Sequence, residues 1–273
     1  MIPLKDQEMI RQKFAQELMG PVKIDLFTAR ELGITVPGKK PCQYCKPTQE
    51  MMQELSGLHP MISLRVHFME DPSREGLAQA ETYGIERVPA IVLRGPAAVA
   101  TGEGAGGGAS PRQDGANPRP YVKFYGIPAG TEFPSFLETI SDVSRQEVML
   151  TEDSVRKLSE ITSEVSVRVF ATPTCPYCPA VARVVCQMAM VNPLIRTEVI
   201  EVSEFPELAE RYDVKAVPLT VIADRVSIPG MVPEATLVEE IVKAAGSAVI
   251  GTAPEAPKRI ERGKERPSGL IIP

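Results

Sequence analysis

Ala171-Thr172-Pro173-Thr174-Cys175-Pro176-Tyr177-Cys178-Pro179-Ala180 sets two cysteines, two residues apart, between a β-branched run and an apolar helical pattern. Val165 to Ala171 reads as a buried strand, and Val181, Val184, Val185 and Met188 recur at three- and four-residue spacing, as on one helix face. The dithiol is therefore expected where a strand hands over to a helix. Unpaired N–H groups and the positive end of the helix dipole favour an anion there, so Cys175 is expected to be the more acidic, exposed nucleophile. Cys178, one turn in, is expected to be its buried resolving partner. Pro176 and Pro179 suit a first turn, where a missing N–H is of little consequence. A cysteine pair so placed can form a reversible disulfide, and redox chemistry is the first expectation.

The same spacing opens zinc knuckles and ribbons, but those need a second pair or histidines about 12 to 20 residues further on. Cys186 is the nearby candidate, and its helical position favours a buried, inert thiol. Further along, Val217-Pro218 heads the apolar, β-branched stretch to Ile222, which suggests a cis Val-Pro bond beside the dithiol. On these residues the chain resembles the thioredoxin and glutaredoxin superfamily. Cys-Pro-Tyr-Cys is glutaredoxin-like, and Val217-Pro218 looks like the superfamily's cis-proline loop. The resemblance implies a proline that keeps metal off the dithiol and presents backbone to the substrate.

The pattern occurs twice. Cys42-Gln43-Tyr44-Cys45 repeats as Cys175-Pro176-Tyr177-Cys178, and Ala80 to Pro89 aligns with Ala209 to Pro218, each ending in Val-Pro. Each copy reads as helix, strand, CxxC helix, strand, helix, proline-led strand, strand, helix. The opening helices are expected at Asp6 to Leu18 and Thr151 to Val165, with Thr151 as an N-cap. The first strands are expected at Val22 to Thr28 and Val165 to Ala171, and the second at Ile62 to Phe68 and Ile195 to Val202. Strand–helix–strand units give a parallel pair and the hairpin after each proline adds antiparallel strands. The fold class is thus α/β: two tandem thioredoxin-like units, mixed central sheets flanked by helices.

A length of 273 residues fits about two domains with ordinary cores. The divisions expected are 1–146 for unit 1 with Cys-Gln-Tyr-Cys, 147–250 for unit 2 with Cys-Pro-Tyr-Cys, and 251–273 as a flexible tail. Within unit 1, residues 95–120 are dominated by Gly, Ala and Pro and read as a disordered hairpin insertion. Arg30 to Lys40 is an excess over the second copy that borders the first dithiol, so the first site is expected to be the more restricted. A net charge of −5 without a long basic cluster argues against nucleic acid as a partner. No apolar run approaches the roughly 20 residues of a membrane span. Lys5, Asp6, Glu8 and Arg11 stand where a secretory signal would be apolar, and cytoplasmic residence is expected. Two CxxC pairs plus Cys186 do not form a secreted disulfide framework.

Both CxxC pairs, the run Tyr125-Gly126-Ile127-Pro128-Ala129-Gly130-Thr131-Glu132-Phe133 and the junction Asp142-Val143-Ser144-Arg145 resemble the thermophile-type protein disulfide oxidoreductases, glutaredoxin-like proteins of two fused thioredoxin-fold units. The resemblance implies sheets joined edge to edge. It implies dithiol–disulfide exchange on protein substrates, with no bound cofactor beyond the redox-active disulfides, which a thioredoxin-reductase-like flavoprotein using NAD(P)H recharges. Catalysis is assigned to Cys42, Cys45, Cys175 and Cys178, and substrate contact to Val88, Pro89, Val217, Pro218, Tyr44 and Tyr177. Aligning Phe27 on Phe170 puts Asp25 opposite Arg168, so Asp25 receives no catalytic role, and His67 is expected to be structural. Two other readings stay open. One is a dedicated electron-transfer module for a peroxidase, and the other a metal-binding or scaffold protein.

Overall fold

The structure, a computed structural model, describes residues 2–30, 42–70, 75–96 and 121–246, and the backbone of 258–259. The first half runs α1 (Leu4–Glu17), β1 (Val22–Thr28), α2 (Cys45–Ser56), β2 (Ile62–Phe68), α3 (Glu75–Tyr83), β3 (Ala90–Arg94), β4 (Tyr121–Tyr125) and α4 (Glu132–Arg145). The second runs α5 (Glu152–Ser159), β5 (Val165–Ala171), α6 (Cys178–Val191), β6 (Ile195–Glu201), α7 (Pro206–Arg211), β7 (Leu219–Ile222), β8 (Val226–Pro229) and α8 (Glu234–Gly246), followed by a two-residue β9 (Lys258–Arg259). The loop expected to restrict the first site, nearly all of the Gly/Ala/Pro-rich insertion, and the tail apart from β9 lie outside the described residues.

Both halves repeat one topology. β1 pairs parallel with β2 and antiparallel with β3, which pairs antiparallel with β4. β5 pairs parallel with β6 and antiparallel with β7, which pairs antiparallel with β8. The halves fuse where β4 runs parallel to β6, in register from Val122–Thr197 to Tyr125–Ile200. One mixed sheet results, ordered β2-β1-β3-β4-β6-β5-β7-β8-β9. The two thioredoxin-like units are thus joined edge to edge, the hairpin edge of one against the parallel edge of the other.

The sheet's apolar strands are buried on both faces, which is why they read as near-continuous hydrophobic runs. Alternate residues of β1 show the division. Ile24 and Leu26 pack with Phe14, Met52, Leu55 and Ile140 on one face, whereas Phe27 packs with Tyr83, Tyr125 and Phe170 on the other. Leu158, Val185, Leu237 and Ile241 close the second half over Val167 and Val169.

The helix expected over Thr151 to Val165 is shorter. Thr151 caps it as read, its hydroxyl accepting the Ser154 N–H at 3.3 Å. It ends at Ser159, however, because the Asn192 side-chain amide donates to the carbonyls of Leu158 and Ile161 at 3.0 and 2.9 Å and diverts the chain into β5. Beyond each third helix the chain turns in a left-handed residue, Gly84 at φ 61° in one half and Asp213 at φ 49° in the other. The next N–H groups along the chain, Ile85 and Val214, close equivalent turns onto Ala80 and Ala209 at 2.7 and 2.8 Å. Both turns lead into a cis peptide, Val88–Pro89 and Val217–Pro218.

Candidate active sites

Each dithiol sits at the carboxyl end of the strand that opens its sheet. Cys42–Cys45 and Cys175–Cys178 are disulfides with Cα separations of 5.4 and 5.5 Å. The second cysteine of each pair is the first residue of its helix, so the nucleophiles lie in the turn just before α2 and α6 rather than within the first turn. In site 2 that placement still aims a helix N–H at the nucleophile, the Cys178 N–H donating to Cys175 Sγ at 3.1 Å; in site 1 the Ala29 N–H, just past β1, donates to Cys45 Sγ at 3.3 Å. Such donors and the positive helix end favour thiolate over thiol.

The proline loops face the sulfurs. Cys42 Sγ lies 3.6 Å from the Val88 carbonyl oxygen, and Val217 packs against Ala171, Cys175 and Cys178. The carbonyls of Pro89 and Pro218 accept the N–H groups of Gly126 and Gly230 at 3.0 and 2.7 Å, which pins each loop to its hairpin. Tyr44 is half-buried beside Cys42, whereas Tyr177 is 60% exposed. Asp25 accepts from Arg94 and pairs with His67 Nε2 at 2.8 Å, and His67 stacks on Phe27. Cys186 is fully buried, and burial pushes its thiol well above the ordinary range. Among the described residues no group of three or more His, Cys, Asp or Glu is placed to hold a metal ion.

One expectation reverses. Cys175, read as exposed, is only 7% exposed, while Cys42 is half-buried. Ala171, Cys178 and Val217 of its own unit pack around it, and the other unit binds the backbone of the same turn. The Thr131 N–H donates to the Pro173 carbonyl at 2.8 Å, and the Thr131 hydroxyl reaches the carbonyl of Cys175 at 2.8 Å. Gly130, at φ 60°, approaches so closely that a Cβ there would stand 2.3 Å from the Pro173 oxygen. One turn further on, the Ser135 hydroxyl donates to the Pro179 carbonyl at 3.0 Å. The start of α4 therefore lies along Cys175 to Pro179.

Between Thr131 and Ser135, on the inward side, stands a residue that sequence reading missed. Glu132 is 6% exposed and its Oε1 has no protein hydrogen-bond partner. It lines a small cavity of about 10 Å3 with Tyr125, Ala171 and Glu201, and burial pushes its carboxyl up to about 7. Glu204 is a second such group. Burial raises its carboxyl to about 7, against the pull of the Ile127 N–H that donates to it at 2.7 Å. Glu204 shares a groove with Cys42, and Glu132 shares its cavity with Ala171 at the end of β5; carboxyls poised near neutrality are candidates for proton transfer where they reach a reactive centre. The only sequence signal for Glu132 is an acidic residue at an apolar register position of α4, in line with the buried Phe136 and Ile140.

The Thioredoxin domain family model matches residues 165–243, the heart of the second half. A thioredoxin of Methanocaldococcus jannaschii is 40% identical over 82 residues, which make up 30% of this chain and 96% of that protein. Among solved structures, a protein disulfide oxidoreductase of Aeropyrum pernix superposes with a TM-score of 0.70 at 22% identity, covering 90% of this chain and 94% of the other. An alkylhydroperoxide reductase component of Enterococcus faecalis superposes with a TM-score of 0.67 at 22% identity, over 88% and 98%. At that identity the two structures speak for the tandem fold alone. The archaeal thioredoxin is matched almost end to end, around a CxxC at a helix start and a facing cis-proline, and the chain belongs to the thioredoxin family.

Proposed function

We propose that the chain is a protein disulfide oxidoreductase with two working centres, one in residues 1–146 and one in 147–250. The observation that carries this reading is the repetition of the whole constellation: helix-start disulfide, facing Val–cis-Pro loop and pinned hairpin occur in both halves. In the reducing direction, the Cys42 or Cys175 thiolate attacks a substrate sulfur, and the substrate S–S bond breaks as a mixed disulfide forms. Cys45 or Cys178 then attacks the first cysteine, closing the protein's own disulfide and releasing the second substrate sulfur as a thiol. Two electrons and two protons pass to the substrate, and the reverse sequence oxidises.

In unit 2, Glu132 accepts the Cys178 proton during resolution, since its carboxyl is buried, unpaired and adjacent to the strand end beneath the dithiol. Val88 and Val217 present backbone to an extended substrate segment, as in strand addition. Tyr44 and Tyr177 flank the exchanging sulfurs. A flavoprotein reductase drawing on NAD(P)H recharges both disulfides. Among the described residues no helix is long and apolar enough to cross a membrane, which accords with protein substrates met in solution.

Trapping tests the reading. Cys45→Ser and Cys178→Ser variants, reduced and exposed to oxidised insulin, are expected to accumulate mixed disulfides at Cys42 and Cys175, identified by mass spectrometry of tryptic peptides. Adducts at neither cysteine would overturn it.

A further inference from the structure

Site 1 opens into a groove of about 790 Å3 that the two units build together. One wall carries Cys42, Tyr44 and Val88, and the other is the β6–α7 turn of unit 2, Ser203, Phe205 and Pro206. The walls are tied across by Arg87, whose Nε lies 3.1 Å from Glu207 Oε1. The groove is wide enough for a polypeptide segment and has an apolar floor, a form that suits a bound chain with a few polar contacts at its rim. Among the described residues its charge is one-sided. Glu70, Glu86 and Glu207 line it, with Glu204 held partly neutral by burial, against one guanidinium, that of Arg87. That cation is already engaged by two of them, since its Nη1 also lies 3.0 Å from Glu86 Oε2. The carboxylates of Glu86 and Glu207 are themselves 72% and 56% exposed. Though paired with Arg87, both side chains are open enough to solvent to meet a ligand's charge as well.

We infer that site 1 takes, as its preferred substrate, an extended polypeptide segment carrying Lys or Arg next to the cysteine under attack, with the unit 2 wall supplying half of the recognition. The inference rests on the reading of Cys42 and Cys45 as a redox centre and adds the substrate's chemistry to it. Rim carboxylates of this kind act on encounter and register more than on tightness, so the preference belongs in kcat/KM and fades with salt. In the exchange the Cys42 thiolate displaces one substrate sulfur and Cys45 displaces the other. The two dithiol protons pass to the substrate sulfurs, and dithiothreitol regenerates the enzyme.

The test uses the full chain with Cys175→Ser and Cys178→Ser, so that only site 1 turns over, and two quenched cystine-bridged peptides that differ solely in Lys or Glu flanking one cysteine. The Lys peptide is expected to be reduced about tenfold faster in kcat/KM at low salt, the ratio falling at least threefold in high salt. Glu86→Gln with Glu207→Gln is expected to bring the ratio to threefold or less. Glu8→Gln with Glu152→Gln, an equal change of net charge at exposed positions away from the groove, is expected to keep it. A ratio near one, or an equal fall in both variants, overturns the proposal. Reduction of hydroxyethyl disulfide without reduction of either peptide also overturns it while leaving site 1 a redox centre. Failure on hydroxyethyl disulfide as well overturns the redox reading of site 1 and this proposal with it.

Discussion

Lys123 of β4 and Glu198 of β6 stand directly opposite each other in the strand pair that joins the two units, Nζ 2.7 Å from Oε1, and both are buried. Arg168 holds the second carboxylate oxygen at 2.7 Å. Burial works to raise Glu198, but Lys123 and Arg168 outweigh it and hold the carboxyl below its usual range. Breaking a buried pair leaves an uncompensated charge. With Arg168 still in place, Lys123→Met is expected to destabilise by about 2–3 kcal/mol in urea melts. Because the folded carboxyl is depressed, its contribution is present above the unfolded value near 4.3 and is lost as pH falls through the folded value, so the penalty should shrink in acid. Lys123→Met with Glu198→Gln should recover part of the loss. An undiminished penalty in acid would place the effect in packing instead.

Gly130 lets the start of α4 approach the Pro173 backbone beside site 2. An alanine there meets the Pro173 oxygen and holds a positive φ, and about 2–3 kcal/mol of stability should be lost. If that approach helps to bury Cys175, the reduced cysteine should also react faster with iodoacetamide, in a background lacking Cys42 and Cys45. Thr131→Val removes only the hydroxyl bonds and is expected to lower stability by about 0.5–1.5 kcal/mol while raising the alkylation rate. A fall in stability without faster alkylation would mean that other groups cover the sulfur.

Cys42 and Cys175 act as the nucleophiles in the proposed exchange. Dithiothreitol-driven reduction of insulin should fall to the uncatalysed rate in the Cys42→Ser, Cys175→Ser double variant, and each single variant should retain one working centre. Turbidity assays of the three proteins decide this. A double variant that keeps its rate would move the chemistry elsewhere.

Much of this is legible locally. The strands Val22–Thr28, Val165–Ala171 and Ile62–Phe68 begin and end where the β-branched runs do, and both Val-Pro peptides are cis, because those signals lie within a few residues of one another. The misreadings share a cause. Helix α5 stops short because of Asn192, more than thirty residues on, and the Cys175 sulfur is packed against Val217, more than forty residues on, while its carbonyl is bound by Thr131, 44 residues earlier. Exposure at a helix start is a local inference, and tertiary packing can cancel it. Glu132 escapes notice for the same reason. Spacing around a CxxC motif says nothing about a carboxyl delivered from the other half of the chain.

Glu132 should therefore show opposite effects on stability and turnover. Its carboxyl is raised to about 7 in the folded protein against about 4.3 in an unfolded chain, so between those values the native state binds a proton that the unfolded state does not. Stability then declines as pH rises through that window, and the penalty levels off above 7 at roughly 2–4 kcal/mol. Glu204, also raised to about 7, adds to the same slope, so the informative quantity is the difference between wild type and Glu132→Gln. That difference should be near zero at pH 4 and should favour the variant by roughly 1–3 kcal/mol at pH 8. If the carboxyl also takes the Cys178 proton, the variant should resolve mixed disulfides at site 2 about 10- to 100-fold more slowly, without the inflection near 7. Stopped-flow measurement of site 2 resolution across pH, with Cys42 and Cys45 replaced by Ser, separates the two roles. A variant that is stabilised at pH 8 yet resolves at the wild-type rate would make Glu132 a buried carboxyl of structural consequence only.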